Sequence, residues 1–158
     1  MRTGTTIASV VAAAGIVAAG ITGAAPASAD SKVADFGTWL RLRDANNTVI
    51  TAWNVHSLKP SSDTIPGYPL AGKLWEVKAT VHPIRGTVTP IIPNFNARAD
   101  NGQNYQVLWE AATPQGISGA TITKGQRSKG KLYFDVTGAP PTSVVYNNGP
   151  EDLLVWEG

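Results

Sequence analysis

Few side chains of this 158-residue chain are of a type that does chemistry, and their spacing restricts what they can do. His56 and His82 are the only histidines. A metal site would need them to converge with carboxylates, yet each falls on the outward parity of an alternating segment. His56 is out of phase with Trp53 and Val55, and His82 with Val77 and Val81. No short zinc-type ligand spacing accompanies them, so two unrelated surface histidines, and no metal or other cofactor, are expected. Ser118 lies in Gly116-Ile117-Ser118-Gly119, which lacks the spacing of a nucleophile elbow and is not followed by a helical pattern. A structural turn is the better reading. Glu76, Glu110 and Asp135 supply material for a glycosidase pair, which requires two carboxyls about 5 or about 6.5–9.5 Å apart. Acids on the polar faces of strands are ordinarily solvated instead. No catalytic residue is expected.

Contact chemistry is better represented. Trp39 alternates in register with Arg41 and Arg43, while Leu40 and Leu42 take the other face. Either Trp39-x-Arg41-x-Arg43 is an exposed cation-π ladder, or a twist or bulge turns Trp39 inward. The usual burial of tryptophan favours the inward turn, and an exposed Trp39 would be the leading contact residue. The other four tryptophans read as core: Trp53, Trp75 and Trp109 share parity with Val and Tyr, and Trp156 ends the apolar run from Leu153. Lys124, Arg127, Lys129 and Lys131 form a basic cluster spread across Gly125 and Gly130. It reads as a solvated hairpin loop or a charge guard on an edge strand. A sharper reading is attraction to an anionic glycan or lipid surface, with an affinity limited by salt. Asn46-Asn47-Thr48 matches a glycosylation sequon in letters and reads as a turn.

The elements that must position these residues are strands. Alternation broken by turn residues every eight to twelve positions suits an all-β sandwich or barrel. Trp75, Val77, Ala79 and Val81 oppose Glu76, Lys78, Thr80 and His82; Leu132, Phe134 and Val136 oppose Lys131, Tyr133 and Asp135. The same period runs through Val49 to Val55 and Tyr105 to Trp109. Further strands are expected at 39–43, 87–92, 117–122, 142–146 and 152–156. Asn101-Gly102 and Asn148-Gly149 accept the positive φ of tight hairpins. The stretch from Lys59 to Gly72, with Pro66-Gly67-Tyr68-Pro69, is too broken for a strand. Pro90, Pro93, Pro140 and Pro141 should sit at strand ends or edges. No amphipathic helix, repeat or linker divides the chain.

The first 29 residues read as a cleavable export signal: Arg2, an uncharged apolar run from Ile7 to Ile21, and the A-x-A site Ala27-Ser28-Ala29. The run of about 15 residues is shorter than the roughly 20 of a spanning helix, and Pro26 follows closely. The mature chain should begin at Asp30, as one domain over 30–158 that is released without a membrane or lipid anchor. With no cysteine there are no disulfides, so packing and sheet hydrogen bonding supply all the stability. Mature charge is 12 Lys and Arg against 11 Asp and Glu, which is no nucleic-acid footprint.

Several segments resemble a known family: Ile65-Pro66-Gly67-Tyr68-Pro69, Ile84-Arg85-Gly86-Thr87-Val88-Thr89-Pro90, Phe95-Asn96-Ala97-Arg98, Ile117 to Ile122, Tyr133 to Gly138, and Asn147-Asn148-Gly149 with Glu151 to Leu154. From about Thr48 to Glu157 the chain is similar to the small secreted immunoprotective extracellular antigens of mycobacteria. The resemblance implies a single immunoglobulin-like antiparallel β-sandwich, general secretory export and recognition by the host immune system, and it implies no reaction. Asp30 to Asn47, with Trp39, Arg41 and Arg43, departs from the family pattern, as do His56 and His82. The Cys, Trp, Cys framework of antibody domains is missing, and architecture alone does not settle function. The expectation is a secreted, non-enzymatic, monomeric binding protein whose partner is a protein or glycan at the cell or host surface. The rivals are a glycan-binding module or weak glycan hydrolase of the envelope, and a structural envelope component.

Overall fold

The computed structural model describes residues 28–29 and 32–158. Ala27 and Asp30 of the expected cleavage site, and the apolar run before them, lie outside these residues. The strands are β1 (Ser28–Ala29), β2 (Val33–Asp35), β3 (Trp39–Arg43), β4 (Ile50–Pro60), β5 (Lys73–Arg85), β6 (Phe95–Ala99), β7 (Asn104–Gln106), β8 (Ser128–Val136), β9 (Pro141–Asn147) and β10 (Asp152–Glu157). They form two five-stranded sheets, ordered β1-β3-β4-β5-β8 and β2-β10-β9-β6-β7. All pairs are antiparallel except β2 with β10. A 3-10 turn at Ile92–Asn94 precedes β6. Cleavage after Ala29 would remove β1 and leave β3 as the edge of its sheet.

Alternation builds the sandwich as expected. Trp53, Val55, Val77, Ala79, Val81, Leu132, Phe134 and Val136 line the inner face of the first sheet. Phe95, Ala97, Val144, Tyr146, Leu154 and Trp156 meet them from the second. At the centre, Phe95 lies edge-on to Trp53 and Tyr146, with ring centroids 4.7 and 5.1 Å apart, and stacks near Trp156 at 6.3 Å. Such pairs add about 0.5–1.5 kcal/mol beyond the area they bury. The Trp156 indole also donates to Thr38 O at 2.9 Å, satisfying the one polar atom of a fully buried ring.

The hairpins form where the turn chemistry places them. Asn101-Gly102 joins β6 to β7 and Asn148-Gly149 joins β9 to β10, with φ of 87° at Gly102 and 107° at Gly149. Pro140 and Pro141 stand at the start of β9, whereas Pro83 sits inside β5 beside a register shift at Ile50/Thr51, where the missing donor is tolerated. β4 runs on to Pro60 because Ser57 takes a left-handed φ of 62° within a second register shift.

Three expectations fail. Residues 87–92 and 117–122 are not strands; their backbones pair only at the bridge Val88↔Ile122, beside a Thr89–Thr121 hydroxyl contact, because Pro90, Pro93 and the glycines of 116–119 interrupt any longer ladder. β7 stops at Gln106, so Trp109 turns out to solvent and is 53 % exposed rather than part of the core. The polar face of β8 is not wholly solvated. The loop 61–72 folds over it, burying Ile65 with Leu74 and Tyr133 in a second, smaller apolar cluster.

Candidate functional site

That covering loop decides the fate of several candidate residues. Lys131, expected in a solvated basic loop, points beneath it and contacts Asp63 Oδ2 at 2.6 Å and Glu76 Oε2 at 2.5 Å. Tyr133 donates to the same Asp63 oxygen at 2.6 Å, and Lys59 lies 3.8 Å from Glu76. Hydrogen bonds from Lys131 and Tyr133 hold the Asp63 carboxyl below its ordinary range, and the two carboxylates raise the Lys131 ammonium. Burial, then the hydrogen bond to Asp63, pushes the Tyr133 phenol up to about 12. Glu76 is therefore a structural anion, 4 % exposed, and not the solvated acid that its parity suggests. The loop is within reach only because it closes across the sheet, which no local pattern records.

Of the other candidate acids, one has structural work as well. Asp135 accepts the backbone N–H groups of Ala71 and Gly72, both at 2.8 Å, and pins the end of the loop. Glu110 lies in the exposed turn beside Trp109. Ser118 Oγ accepts from Ala120 N at 3.2 Å, as a turn residue does. His56 and His82 both face outward, as their parity predicts, and line different depressions.

The outer face of the first sheet, away from the loop, is different. β3, β4 and β5 set Arg41, Ala52 and His82 side by side, since Arg41 pairs with Ala52 and Ala52 with His82. Ala52 is small, so the row dips between two long side chains. Trp39 closes one side, and Arg127, from the turn before β8, reaches the other. The result is a shallow depression of about 340 Å³ lined by Trp39, Arg41, Ala52, His82, Ile84 and Arg127. Trp39 is 42 % exposed and stands edge-on to His82, centroids 4.8 Å apart at 72°. The outward alternative for Trp39 is the one realised: β3 keeps its alternation, with Leu40 and Leu42 inside.

Next to this depression lies a second, of about 360 Å³, lined by Lys78, Thr80, Gln115 and Lys129 among others. Neither depression has a carboxylate in its wall. Arg41, Lys78, Arg127 and Lys129 make no ion pair among the described residues. The His82 ring registers the resulting field. Partial burial, and then the positive charges of Arg127 and Arg41, hold its pKa below the ordinary 6.5, and its Nδ1 is buried without a hydrogen-bond partner.

The tertiary structure thus joins Trp39, Arg41 and Arg127 in one depression and puts Lys129 in its neighbour. Arg43 is half-buried at the end of β3, and Lys124 is exposed in the turn before β8; neither lines either depression. His82, Ala52 and Lys78 are members that inspection of the sequence overlooks. Their shared outward parity with Trp39 and Arg41 was readable, but the register that brings β3 beside β4 and β4 beside β5 was not.

Two packed sheets without disulfides, with Glu76 and Asp135 consumed by structure, Glu110 left apart in an exposed turn, and a cationic, aromatic face outside, define an immunoglobulin-like β-sandwich with no assembled catalytic centre among the described residues. The chain belongs to the family described as a domain of unknown function (DUF1942), whose model matches residues 31–156. It is 56 % identical over 121 residues to immunogenic protein MPT63 of Mycobacterium tuberculosis and, equally, to immunogenic protein MPB63 of Mycobacterium bovis. Those alignments cover 77 % of this chain and 76 % of each relative. A crystal structure of the secreted MPT63 protein of M. tuberculosis superposes with a TM-score of 0.76 at 54 % identity, covering 80 % of this chain and 96 % of that one. The antigen resemblance read from the motifs is confirmed, and the chain is a secreted protein of this mycobacterial family. The family match begins ahead of Trp39, so the divergent segment before Thr48 lies within the family domain.

Proposed function

We propose that this secreted domain acts by binding and not by catalysis, at the cell or host surface, through the outer face of the first sheet centred on Trp39. The observation that supports this reading is the pairing of an exposed tryptophan with two arginines that make no ion pair among the described residues, in one depression without a carboxylate. A soluble β-protein generally keeps large aromatics inside and balances its charges, so an aromatic and arginine cluster left open is the composition of a contact centre. Of the three candidate carboxyls, Glu76 is engaged by Lys131 and Asp135 by the loop backbone, which leaves the exposed Glu110 without a second acid for a hydrolase pair.

The test is cross-linking of the mature protein on intact cells and host material, followed by identification of what is captured, with Trp39→Ala run in parallel. A defined partner captured by the native chain and lost with Trp39→Ala supports the reading. Equal capture by both proteins would move the contact surface elsewhere, and turnover of a captured glycan would replace binding by catalysis.

A further inference from the structure

The two adjacent depressions have a geometry that specifies a ligand class, provided that the outer face is the contact surface proposed above. Lys78, Thr80 and His82 are successive outward residues of β5, so they rise in steps of about 6.6 Å and link the depressions over about 13 Å. At one end stand Arg41 and Arg127 with Trp39; at the other stands Lys78, with Lys129 one step nearer, opposite Thr80, while Lys131, opposite Lys78, is already paired with Asp63 and Glu76. Along this line no carboxylate intervenes, and Arg41, Arg127, Lys78 and Lys129 make no ion pair among the described residues.

We infer that this line is a binding track for a sulfated polysaccharide, with a sulfate between Arg41 and Arg127, a sugar ring against Trp39, and a further sulfate at Lys78 and Lys129. Guanidinium groups present planar forks that satisfy two oxygens of an oxyanion at once, whereas ammonium groups act as point charges for the next anionic unit. The edge-on contact with His82 fixes the Trp39 ring and leaves part of it open to the apolar side of a pyranose. The floor is Ala52, which admits a ring where a larger residue would fill the row. A nucleic acid fits less well, because the balanced charge of the chain provides no broader basic field. A lipid surface fits less well, because one partly exposed tryptophan is little apolar area to insert.

The experiment measures binding of the mature protein to heparin oligosaccharides and to the same oligosaccharides after chemical desulfation, at about 50 and about 150 mM salt. Heparin should bind and the desulfated chains should not, with log Kd rising against log salt with a slope of about 3, as for three to four released counterions. Arg41→Ala with Arg127→Ala should weaken binding at least about tenfold, the loss of one charge-assisted contact, and lower the slope. Arg41→Lys with Arg127→Lys should lose less. Trp39→Ala should weaken heparin and leave inorganic sulfate unaffected, and Lys32→Ala, paired with Glu151, should change nothing. Heparin should also raise the His82 titration midpoint, which burial first and then Arg127 and Arg41 hold below the ordinary value, since a bound sulfate offsets the two charges. Circular dichroism melts of each variant exclude unfolding. The inference is overturned if heparin fails to bind at the lower salt, if desulfated chains bind as well, if Lys32→Ala loses as much as the double variant, or if His82 does not move. Failure here with cell-surface capture still dependent on Trp39 would refute the sulfated ligand and leave the binding reading intact; failure of both would refute both.

Discussion

Gly130→Ala is the sharpest test of how the basic end of β8 is held in place. A Cβ built at Gly130 would lie 2.6 Å from Ile117 N, 2.7 Å from Ile117 Cα and 2.8 Å from Gly116 C, all backbone atoms. Ordinary carbon contacts begin at about 3.5 Å, so the segment 115–117 must retreat by about 1 Å. That segment is held to the edge of the sheet by Ile117 N donating to Lys131 O at 3.0 Å and Lys131 N donating to Gln115 O at 2.8 Å. Lengthened by this retreat, both bonds pass out of range, at about 1 kcal/mol each. Partial re-exposure of Ile117, which packs on the core, adds about 1 kcal/mol. The narrower unfolded ensemble of alanine offsets about 0.4–1 kcal/mol. The net cost is about 2 kcal/mol, which for a domain of this size lowers Tm by about 6–8 °C. Calorimetry reads the shift, and hydrogen exchange should show the amides of Ile117 and Lys131 losing protection while those of β5 keep theirs. Gly119→Ala is the control, because its nearest neighbours would lie at 3.7 and 3.8 Å, an ordinary contact. A Gly130→Ala protein that melts within about 1 °C of the parent with Ile117 still protected would refute the close approach.

Two further predictions concern the core and acid pH. Trp156→Phe removes the indole donor to Thr38 O and leaves part of the buried site empty, and should cost about 2 kcal/mol in urea denaturation. Stability should fall with pH in two steps. Because the folded pKa of His82 lies below its ordinary 6.5, its contribution is complete above that pH and is lost as pH falls through the folded value; His82→Gln should flatten this limb. Asp152, held below 3.8 first by its hydrogen bonds from Arg98, contributes above that pH and loses the contribution as pH falls further; Asp152→Asn should remove part of that second limb.

The strands that bury one face were legible because alternation is imposed by the pleat: β3, β5, β8, β9 and β10 lie where the pattern of inward residues places them. The failures share a cause. Trp109 keeps the parity of Tyr105 and Val107, but parity holds only while a partner strand continues, and β7 ends before it. The residues at 87–92 and 117–122 have strand composition, yet Val88 and Ile122 are the one pair joined as in a ladder, with a hydroxyl contact between Thr89 and Thr121 beside it. Lys131 and Glu76 read as solvated because their parity is outward, and the loop that covers them starts from residues with no periodic signal at all.

Composition and local pattern were thus sufficient for the all-β class, the hairpin turns, the absence of disulfides and the antigen family, since each depends on neighbouring residues or on motifs read in order. Which candidate residues meet was decided by the tertiary structure. Trp39, Arg41 and Arg127 are separated by up to 88 positions and converge only through the register of β3, β4 and β5 and the turn into β8. The same register sends Lys131 beneath a loop and leaves Lys129, two residues earlier, in solvent. A charge in the sequence has a sign and a parity; whether it becomes a structural ion or a contact residue depends on what the rest of the chain lays over it.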